Sequence, residues 1–315
     1  MPPPVSAIFR PRRPVFLQLG GRGYDLTTRA LVVGILNRTK DSFYDHGSYF
    51  ELDRFFERAE QLVKEGADVL DVGGVKAGPG PEVTEEEELE RVVPVIASLR
   101  ERFDVPLSVD TWRASVAAAA FSAGAVLGND ISGFADPAYL PAAAVAGASV
   151  VATHIRLSPR VPDPDPHYED VVAEVERFLL ARAENALSNG IGADRIVLDA
   201  GLDLGKTAEQ SLLLLQSSAR LASLGYALLL SSSNKTFLGV LLGLGIGERR
   251  EASLASAAMG IAGGCRLVRV HDVAGTCKVR DLLAAIAESA PEAAEATQAH
   301  DEAAAGTIFP AKTPL

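Results

Sequence analysis

Polar and ionisable side chains end a series of short apolar runs along the central part of this 315-residue sequence. Seven of eight such runs end in groups that can form hydrogen bonds or carry charge: Asn37, Asp110, Asn129-Asp130, His154, Asp199, Asn234-Lys235, and Arg269 with His271-Asp272. Any one of these residues is more readily explained as a helix cap or a polar core residue. Seven caps in a row are much less expected, so the pattern predicts one ring of functional groups.

The residue types in this ring suit a flat, nitrogen-rich heterocycle. Asp110 and Asp199 can each accept two N–H bonds from a guanidine-like edge. Asn129 can both donate and accept. Lys235 supplies a point charge for a ring nitrogen or a carbonyl group.

Other members of the ring suit an anionic tail on such a heterocycle. Arg269 can stack on a flat ring, and His271 can face an anion. Asn37 offers an oxygen ligand that Mg²⁺ accepts beside water and phosphate. The ring therefore predicts a pocket for a heterocycle that carries phosphate.

The apolar runs alternate with amphipathic helical patterns, for example at 52–65, 85–101 and 168–187. The predicted strands are 31–37, 68–73, 106–110, 125–129, 149–154, 195–200, 227–232 and 267–271. Strands that alternate with helices favour a parallel sheet, and eight units favour closure into an α/β fold of the (β/α)8 TIM-barrel type. An open doubly wound sheet is the alternative. In such barrels the chemistry lies at the C-terminal strand ends, where the ring of polar residues would lie.

The two ends of the chain differ from this repeating middle. Residues 1–30 predict an N-terminal arm and a hairpin, whose strands at 15–19 and 24–26 flank a glycine-rich turn and could close one end of the barrel. Residues 31–287 would form the barrel. The Ala-, Glu- and Pro-rich residues 288–315 are predicted to be a disordered tail.

The composition is that of a globular protein with an acidic surface. Hydrophobic residues make up 48% and charged residues 23%, which excludes a chain disordered throughout. A formal net charge of −11 argues against general nucleic-acid binding, which needs a basic surface. No apolar run approaches the roughly 18 residues of a membrane span, and the Pro- and Arg-rich start has no apolar secretory core. We expect no nucleic-acid or membrane partner and a cytoplasmic location.

Eight segments, in the same order along the chain, resemble dihydropteroate synthases and extend over about residues 31–286. The segments are Gly34-Ile35-Leu36-Asn37, Asp41-Ser42-Phe43, Asp71-Val72-Gly73-Gly74, Val109-Asp110-Thr111, Asn129-Asp130-Ile131-Ser132-Gly133, Asp199-Ala200-Gly201 with Gly205-Lys206-Thr207, Lys235-Thr236-Phe237, and Arg269-Val270-His271-Asp272. Each segment is weak alone, whereas eight in order are a strong match. The chain resembles that family as a diverged second paralogue of the actinobacterial type, with altered substrate loops.

The resemblance implies a pterin-binding barrel that joins 4-aminobenzoate to 7,8-dihydropterin-6-ylmethyl diphosphate and expels pyrophosphate. It implies that a small-molecule pterin is bound by Asp110, Asn129, Asp199, Lys235, Arg269 and His271. Lys235, Arg269 and His271 would also be the catalytic residues, and Asn37 would hold Mg²⁺ on the diphosphate. The family's homodimers imply a homodimer here. Catalysis in such a site is mainly positioning and neutralisation of the leaving group.

The loops that address the second substrate and the pyrophosphate depart from the family pattern. In the second loop, the Thr and Arg of Gly-Gly-Glu-Ser-Thr-Arg-Pro-Gly are replaced by Ala77 and Gly78. In the family's Ser-Arg-Lys-Ser, the Arg is replaced by Asn234. Further changes are Arg38 and Lys40 in the first loop, Lys76 in the second, and Asp203 and Leu204 in the sixth.

These losses, beside intact pterin-binding positions, predict a pterin-binding protein that is weak or inactive as a synthase. Two alternatives stay open: an active synthase with unusual loops, and another pterin-barrel activity such as methyl transfer from methyltetrahydrofolate. The segments around Lys235 and Arg269 argue against methyl transfer, because they match the synthase pattern. Whether Arg38, Lys40 and Lys76 replace the lost cations stays open too, since Lys lacks the planar fork of Arg.

Overall fold

Eight parallel strands close into a barrel behind an N-terminal hairpin. The computed structural model describes residues 14–38 and 48–305, with side chains at 14–38 and 52–289. The hairpin strands are β1 (Phe16–Leu19) and β2 (Arg22–Asp25), and the barrel strands are β3 (Leu31–Asn37), β4 (Val69–Gly73), β5 (Leu107–Asp110), β6 (Leu127–Asp130), β7 (Ser149–Thr153), β8 (Ile196–Asp199), β9 (Ala227–Leu230) and β10 (Leu267–Val270). Barrel neighbours follow chain order, and β10 pairs with β3 to close the ring. The (β/α)8 prediction is confirmed, and the open sheet is wrong.

Helices cover the outside of the strands. They are α1 (Ser48–Lys64), α2 (Glu85–Arg102), α3 (Ala114–Ser122), α4 (Tyr139–Ala146), α5 (Val171–Ser188), α6 (Ala208–Gln216), α7 (Ser218–Ala222), α8 (Thr236–Leu242), α9 (Arg250–Gly263) and α10 (Val273–Ala305). Side-chain caps mark several of the starts. Thr84 accepts from Glu87 N at the start of α2, and Asp170 accepts from the first turn of α5. Because caps fix where helices begin, they also fix the loops at the rim.

Apolar side chains fill both faces of the barrel strands. Inside the barrel, Val33, Val69, Val151, Val197 and Leu229 belong to one buried cluster. A larger cluster lies between the outer strand faces and the helices. Parallel strands covered on both faces need apolar residues at nearly every position, which explains why they read as continuous apolar runs in the sequence.

The hairpin closes the barrel at its N-terminal end, as the sequence predicts. Leu17, Leu19 and Leu26 are buried in the same cluster as the interior of the barrel. The turn is shorter than expected, because Gly20 and Gly21 alone connect the strands. Their φ angles of 56° and 84° suit a two-residue turn of the kind that follows the strand twist.

The last helix is longer than the sequence indicates. It continues to Ala305, past residue 287, where we expected the barrel to end. Only the backbone is described at 290–305, and residues 1–13 and 306–315 lie outside the described part of the chain. The predicted disorder of 288–315 and the domain limits therefore stay predictions. No helix at 48–305 has the length and apolar character that a bilayer span requires.

Candidate functional site

Three of the predicted site residues lie on β3, β5 and β6, within four consecutive strands at one edge of the rim. In the strand register Asn37 pairs with Gly73, and Gly73 pairs with Asp110. Asp110 pairs in turn with Asn129. A Cβ at Gly73 would lie 3.1 Å from Asn37 Oδ1 and 3.5 Å from Asp110 Oδ2. Because Gly73 has no side chain, the amide of Asn37 and the carboxylate of Asp110 can both lie at this edge.

Arg269 joins the carboxylates of two other strands in the ring. Its Nε donates to Asp71 Oδ2 at 2.5 Å, and its Nη2 donates to Asp110 Oδ2 at 2.7 Å. Asn129 Nδ2 donates to the same Asp71 oxygen at 3.3 Å. Asp71 is fully buried, and Asn129 is nearly so. Barrel closure brings this network together from four strands.

The acids around Arg269 exceed what one guanidinium can neutralise. Burial raises the pKa of Asp110 to about 7 against the opposing charge of Arg269, and nearby Asp71, Glu88 and Asp130 add to the rise. Burial also opposes the charge of Arg269, but Asp71 and Asp110 outweigh it and raise the pKa of Arg269 above its ordinary value. Asp110 therefore titrates near neutral pH while Arg269 stays a cation.

Asp199 and Lys235 form an oppositely charged pair of groups on the other side of the ring. Asp199 Oδ1 accepts from Gly201 N at 2.8 Å, and Lys235 Nζ donates to Leu202 O at 2.5 Å. Burial raises the pKa of Asp199 against the charge of Lys235. Burial likewise lowers the pKa of Lys235 against the charge of Asp199. The opposite charge of each group therefore offsets part of the cost of removing the other group from water.

Asp203 supports this side of the site by capping helix α8. Its carboxylate accepts from Thr236 N at 2.5 Å and from Phe237 N at 3.2 Å. Its φ of 67° lies in the left-handed region, which costs a non-glycine residue energy. The cap gives a physical reason for an acid where the resembled pattern has glycine, because it fixes the start of α8 next to Lys235.

His271 lies at the exposed edge of the ring, one residue beyond β10. Its Nδ1 is 3.0 Å from Ser233 Oγ, and its carbonyl accepts from Arg58 Nη2 at 2.8 Å. Partial burial of the ring and the charges of Arg269 and Arg58 lower the pKa of His271, so neutral imidazole predominates at pH 7. His271 can face an anion as a hydrogen-bond donor, but it adds no charge.

Asp71 and Ser233 belong to this arrangement and are absent from the set of site residues predicted from the sequence. Asp71 lies inside its apolar run, so a search for polar residues after strand ends passes over it. Its spacing of two residues from Gly73 places both on the same face of β4, which is a usable signal. Ser233 is one of three consecutive serines and carries no such signal.

Residues 33–271 match the family model described as pterin binding enzyme. The matched range begins in β3 and ends at His271, so it includes every predicted site residue. The chain belongs to the pterin-binding enzyme family.

Relatives of this pterin-binding chain carry two kinds of name. It is 43% identical over 269 residues to a protein of Mycobacterium leprae (strain TN) named inactive dihydropteroate synthase 2, covering 84% of this chain and 92% of the relative. It is 40% identical over 285 residues to a dihydropteroate synthase of Synechocystis, covering 89% of this chain and 97% of the relative. The Yersinia pestis dihydropteroate synthase, solved with a sulfonamide drug complex, has a TM-score of 0.81 at 36% identity, covering 87% of this chain and 100% of that one. The protein is therefore a dihydropteroate synthase-like pterin-binding protein.

Asn37 is the residue that the family resemblance assigns to Mg²⁺. The described residues contain no group of three or more His, Cys, Asp or Glu side chains that could hold a metal ion. Asn37 lies at the rim with its Oδ1 close to Gly73. Such a site fits Mg²⁺ only if water and phosphate oxygens supply the other ligands. Metal binding stays a prediction.

Three arginines hold the backbone of the loop between β4 and α2. Their acceptors are the carbonyl oxygens of Gly74 (2.9 Å from Arg91 Nη1), Gly80 (2.6 Å from Arg160 Nη2) and Val83 (2.7 Å from Arg113 Nη2). Ala77 and Gly78 lie in the middle of this loop. A Cβ at Gly78 would meet no atom within 4 Å. Crowding therefore does not explain why the family's arginine is missing there.

Arg38, one of the cations new to the first loop, forms hydrogen bonds with backbone carbonyls of helix α2. Pro94 lies inside α2 and has no N–H, so the carbonyl of Glu90 receives no helical hydrogen bond from it. Arg38 Nη1 donates to Arg91 O at 2.7 Å and lies 3.4 Å from Glu90 O. This placement argues against Arg38 as a substitute for a lost substrate-binding arginine. Lys40 lies outside the described residues.

Replacing Arg38 by Met is expected to lower the free energy of unfolding by about 1.5 kcal/mol, as for loss of a charge-assisted hydrogen bond. Urea denaturation measures the change. The matched background is Pro94→Ala, in which a restored N–H can serve the carbonyl of Glu90. The cost of Arg38→Met should shrink in that background, and an equal cost in both would show that Arg38 does not serve the proline gap.

Proposed function

We propose that this protein binds a reduced pterin at the barrel rim and has weak or no dihydropteroate synthase activity. The observation that carries the proposal is a contrast. The ring has its acids, amide and cations in place, whereas the loop containing Ala77 and Gly78 lacks a hydroxyl and a guanidinium. Family membership supports the pterin half of the proposal, and the name of the M. leprae relative supports the loss of activity.

The guanidine-like edge of the pterin would bind to the two carboxylates of the ring. Arg269 occupies one oxygen of Asp110, and Gly201 N occupies one oxygen of Asp199. Each carboxylate therefore keeps a second oxygen for a pterin N–H group. Asn129 would donate and accept beside them. Lys235 uses one N–H on Leu202 O and keeps two for the pterin.

Lys235, Arg269 and His271 are the catalytic residues in this proposal, because they would contact the pterin or its diphosphate. Arg269 is held by ion pairs with Asp71 and Asp110, and its guanidinium would stack on the pterin ring system. His271 would donate to a phosphate oxygen at the open edge. Mg²⁺, bound through Asn37 and the diphosphate itself, would neutralise charge on the leaving group.

The Thr and Arg side chains that the family has and this chain lacks would act late in the reaction, when pyrophosphate departs. Negative charge then develops at the mouth of the barrel, where positioned donors are most effective. Removing one such donor costs roughly 10²- to 10³-fold in rate, or about 3–4 kcal/mol, and such losses do not simply add. Three such groups are absent from this region, where the chain has Ala77, Gly78 and Asn234. Binding without turnover is therefore the expected result.

The native protein is expected to bind 7,8-dihydropterin-6-ylmethyl diphosphate in calorimetric titrations, more tightly with Mg²⁺ than without. It should form dihydropteroate far more slowly than on the order of 1 s⁻¹, a common turnover rate for enzymes. The combined variant Ala77→Thr, Gly78→Arg, Asn234→Arg should raise the rate by about 10²-fold or more, because it restores groups that stabilise the leaving charge.

The matched control for that variant carries Gly78→Gln in place of Gly78→Arg, which fills the same open space without charge. It should gain much less activity. No gain in the arginine variant would place the defect elsewhere in the site, and ordinary turnover by the native protein would refute the proposed inactivity.

An active synthase with unusual loops is the second candidate function. The name of the Synechocystis relative, which matches 89% of this chain, favours it. Growth of a bacterial strain that lacks its own synthase separates the two candidates. Full rescue by the native chain would support the active enzyme, whereas rescue by the three-residue variant alone would support our first proposal.

Homodimerisation also stays a proposal. Exposed apolar side chains occur at the end of α8, just after it and on α9, namely Val240, Leu242, Ile246 and Met259. A second copy of the chain would remove this surface from water, which favours association.

A further inference from the structure

The ammonium group of Lys206 lies in a buried cage of acceptors. Its Nζ donates to Gly201 O at 2.8 Å and to Leu204 O at 3.0 Å, and it lies 2.9 Å from His154 Nδ1. An ammonium has three donors and no lone pair, so His154 accepts here and is neutral. Burial and the charge of Lys206 lower the pKa of His154 to about 3, in keeping with that role.

Residues 201–206 form a loop that folds back on this ammonium, and the same loop contacts the proposed pterin site. Its three contacts to the site are Gly201 N to Asp199 Oδ1, Leu202 O to Lys235 Nζ, and Asp203 Oδ2 to Thr236 N. Three consecutive residues of the loop thus set a carboxylate, an ammonium and the start of α8. The geometry of the site depends on the shape of this loop.

We infer that Lys206 is a positioning residue of the pterin site, which holds Asp199 and Lys235 in place through the 201–206 loop. The inference rests on the proposed pterin binding. Lys206 does not need to touch the ligand, because its three donors already have acceptors in the cage. A role in folding alone would not link Lys206 to the pH dependence of ligand affinity, which provides the test.

The charge of Lys206 is lost close to neutral pH. Burial and the charge of Lys235 lower its pKa to about 7, although Asp199, Asp203 and Asp163 oppose the shift. Neutral His154 adds no charge. Lys206 is therefore charged below pH 7 and loses a donor above it, which leaves one acceptor of the cage without an N–H.

Pterin affinity should consequently fall as the pH rises through 7. The acids of the ring act in the opposite direction, since burial raises the pKa of Asp110 to about 7 and also raises that of Asp199. They become better acceptors as they ionise. The native protein should therefore show an affinity maximum near neutral pH. The decrease in affinity above that pH, the falling limb of the profile, should come from Lys206.

The probe is 6-hydroxymethyl-7,8-dihydropterin, which has no phosphate group to titrate, and calorimetry measures its dissociation constant from pH 6 to 9. Binding to the native protein should be about threefold weaker at pH 8 than at the optimum and more than about tenfold weaker at pH 9, because the charged fraction of Lys206 falls steeply above its pKa. Lys206→Arg stays charged throughout and should lose the falling limb. Lys206→Met should bind weakly at every pH, without a falling limb.

Lys64→Met is the matched control, since Lys64 is 72% exposed on α1 and far from the cage in sequence. It should follow the native profile. A falling limb that persists unchanged in Lys206→Arg would overturn the inference. If Lys206→Met does not fold, as judged by circular dichroism, the Arg variant decides.

A native protein that fails to bind the probe at any pH would refute the proposed function. Lys206 is then judged without ligand, from amide exchange of Gly201 and Thr236. Faster exchange at both amides in folded Lys206→Met than in Lys64→Met would support control of the loop by Lys206. Equal exchange would overturn it.

Discussion

Replacing Arg269 by Met is expected to abolish pterin binding and to lower the free energy of unfolding by about 3–5 kcal/mol at pH 7.5. The reason is that Asp71 and Asp110 are inside the protein and share this one guanidinium. Its removal leaves buried carboxylates without a counter-charge, which costs more than an intact pair contributes. Urea denaturation and calorimetric titration with the pterin diphosphate measure the two effects.

The pH dependence of the Arg269→Met variant provides a check on the cause. Without the guanidinium, the pKa of Asp110 should rise further above its unfolded value, so the loss of stability is full at high pH. The loss should shrink as the pH falls and the carboxyl group takes up a proton. Arg250→Met is the control, because Arg250 is 58% exposed in its pair with Asp272 and should cost at most about 1 kcal/mol. Equal losses in the two variants would contradict the buried-network explanation.

Gly201→Ala is expected to cost about 3 kcal/mol or more and to weaken pterin binding severely. A Cβ at this position would lie 1.9 Å from the carbonyl oxygen of His154, which real structures do not permit. Backbone would have to move, and the amide that donates to Asp199 would move with it. The residue also has a φ of 63°, which an alanine resists.

Gly190→Ala separates these two costs. Gly190 has a φ of 85°, but a Cβ there would meet no atom within 4 Å, so this variant has the backbone strain without the collision. We expect it to cost about 1 kcal/mol and to leave ligand affinity unchanged. Thermal or urea unfolding of both variants gives the difference. Equal destabilisation by the two substitutions would show that contact with His154 is not decisive.

Local patterns in the sequence were sufficient to predict the strands and most of the rim. Asp110 and Asn129 lie at strand ends, and their neighbouring strands are consecutive in the chain, so their proximity follows from barrel topology. The pairing of Asp71 with Arg269 does not follow in this way. It depends on side-chain directions on strands that lie 198 residues apart, which periodicity does not specify.

Some residues in the loops were harder to interpret, because their partners are backbone carbonyls. From the sequence, Arg38 could be a cation that binds substrate. In the structure it lies against α2, where Pro94 leaves the carbonyl of Glu90 without a helical N–H donor. Lys206 belongs to one of the segments that resemble the family, but the sequence does not show that its ammonium donates to Gly201 O and Leu204 O of its own loop. Carbonyl oxygens are present at every residue, so the sequence gives no sign of which ones need a donor.

Leu17, Leu19 and Leu26 of the hairpin close the barrel at the end away from the ring. A ligand of Asp71 or Asp199 would then enter and leave at the opposite rim, which includes the loops of Ala77 and Asn234. Two ligands that shared this rim would therefore have to bind in a fixed order, with the deeper one first, and would dissociate in the reverse order.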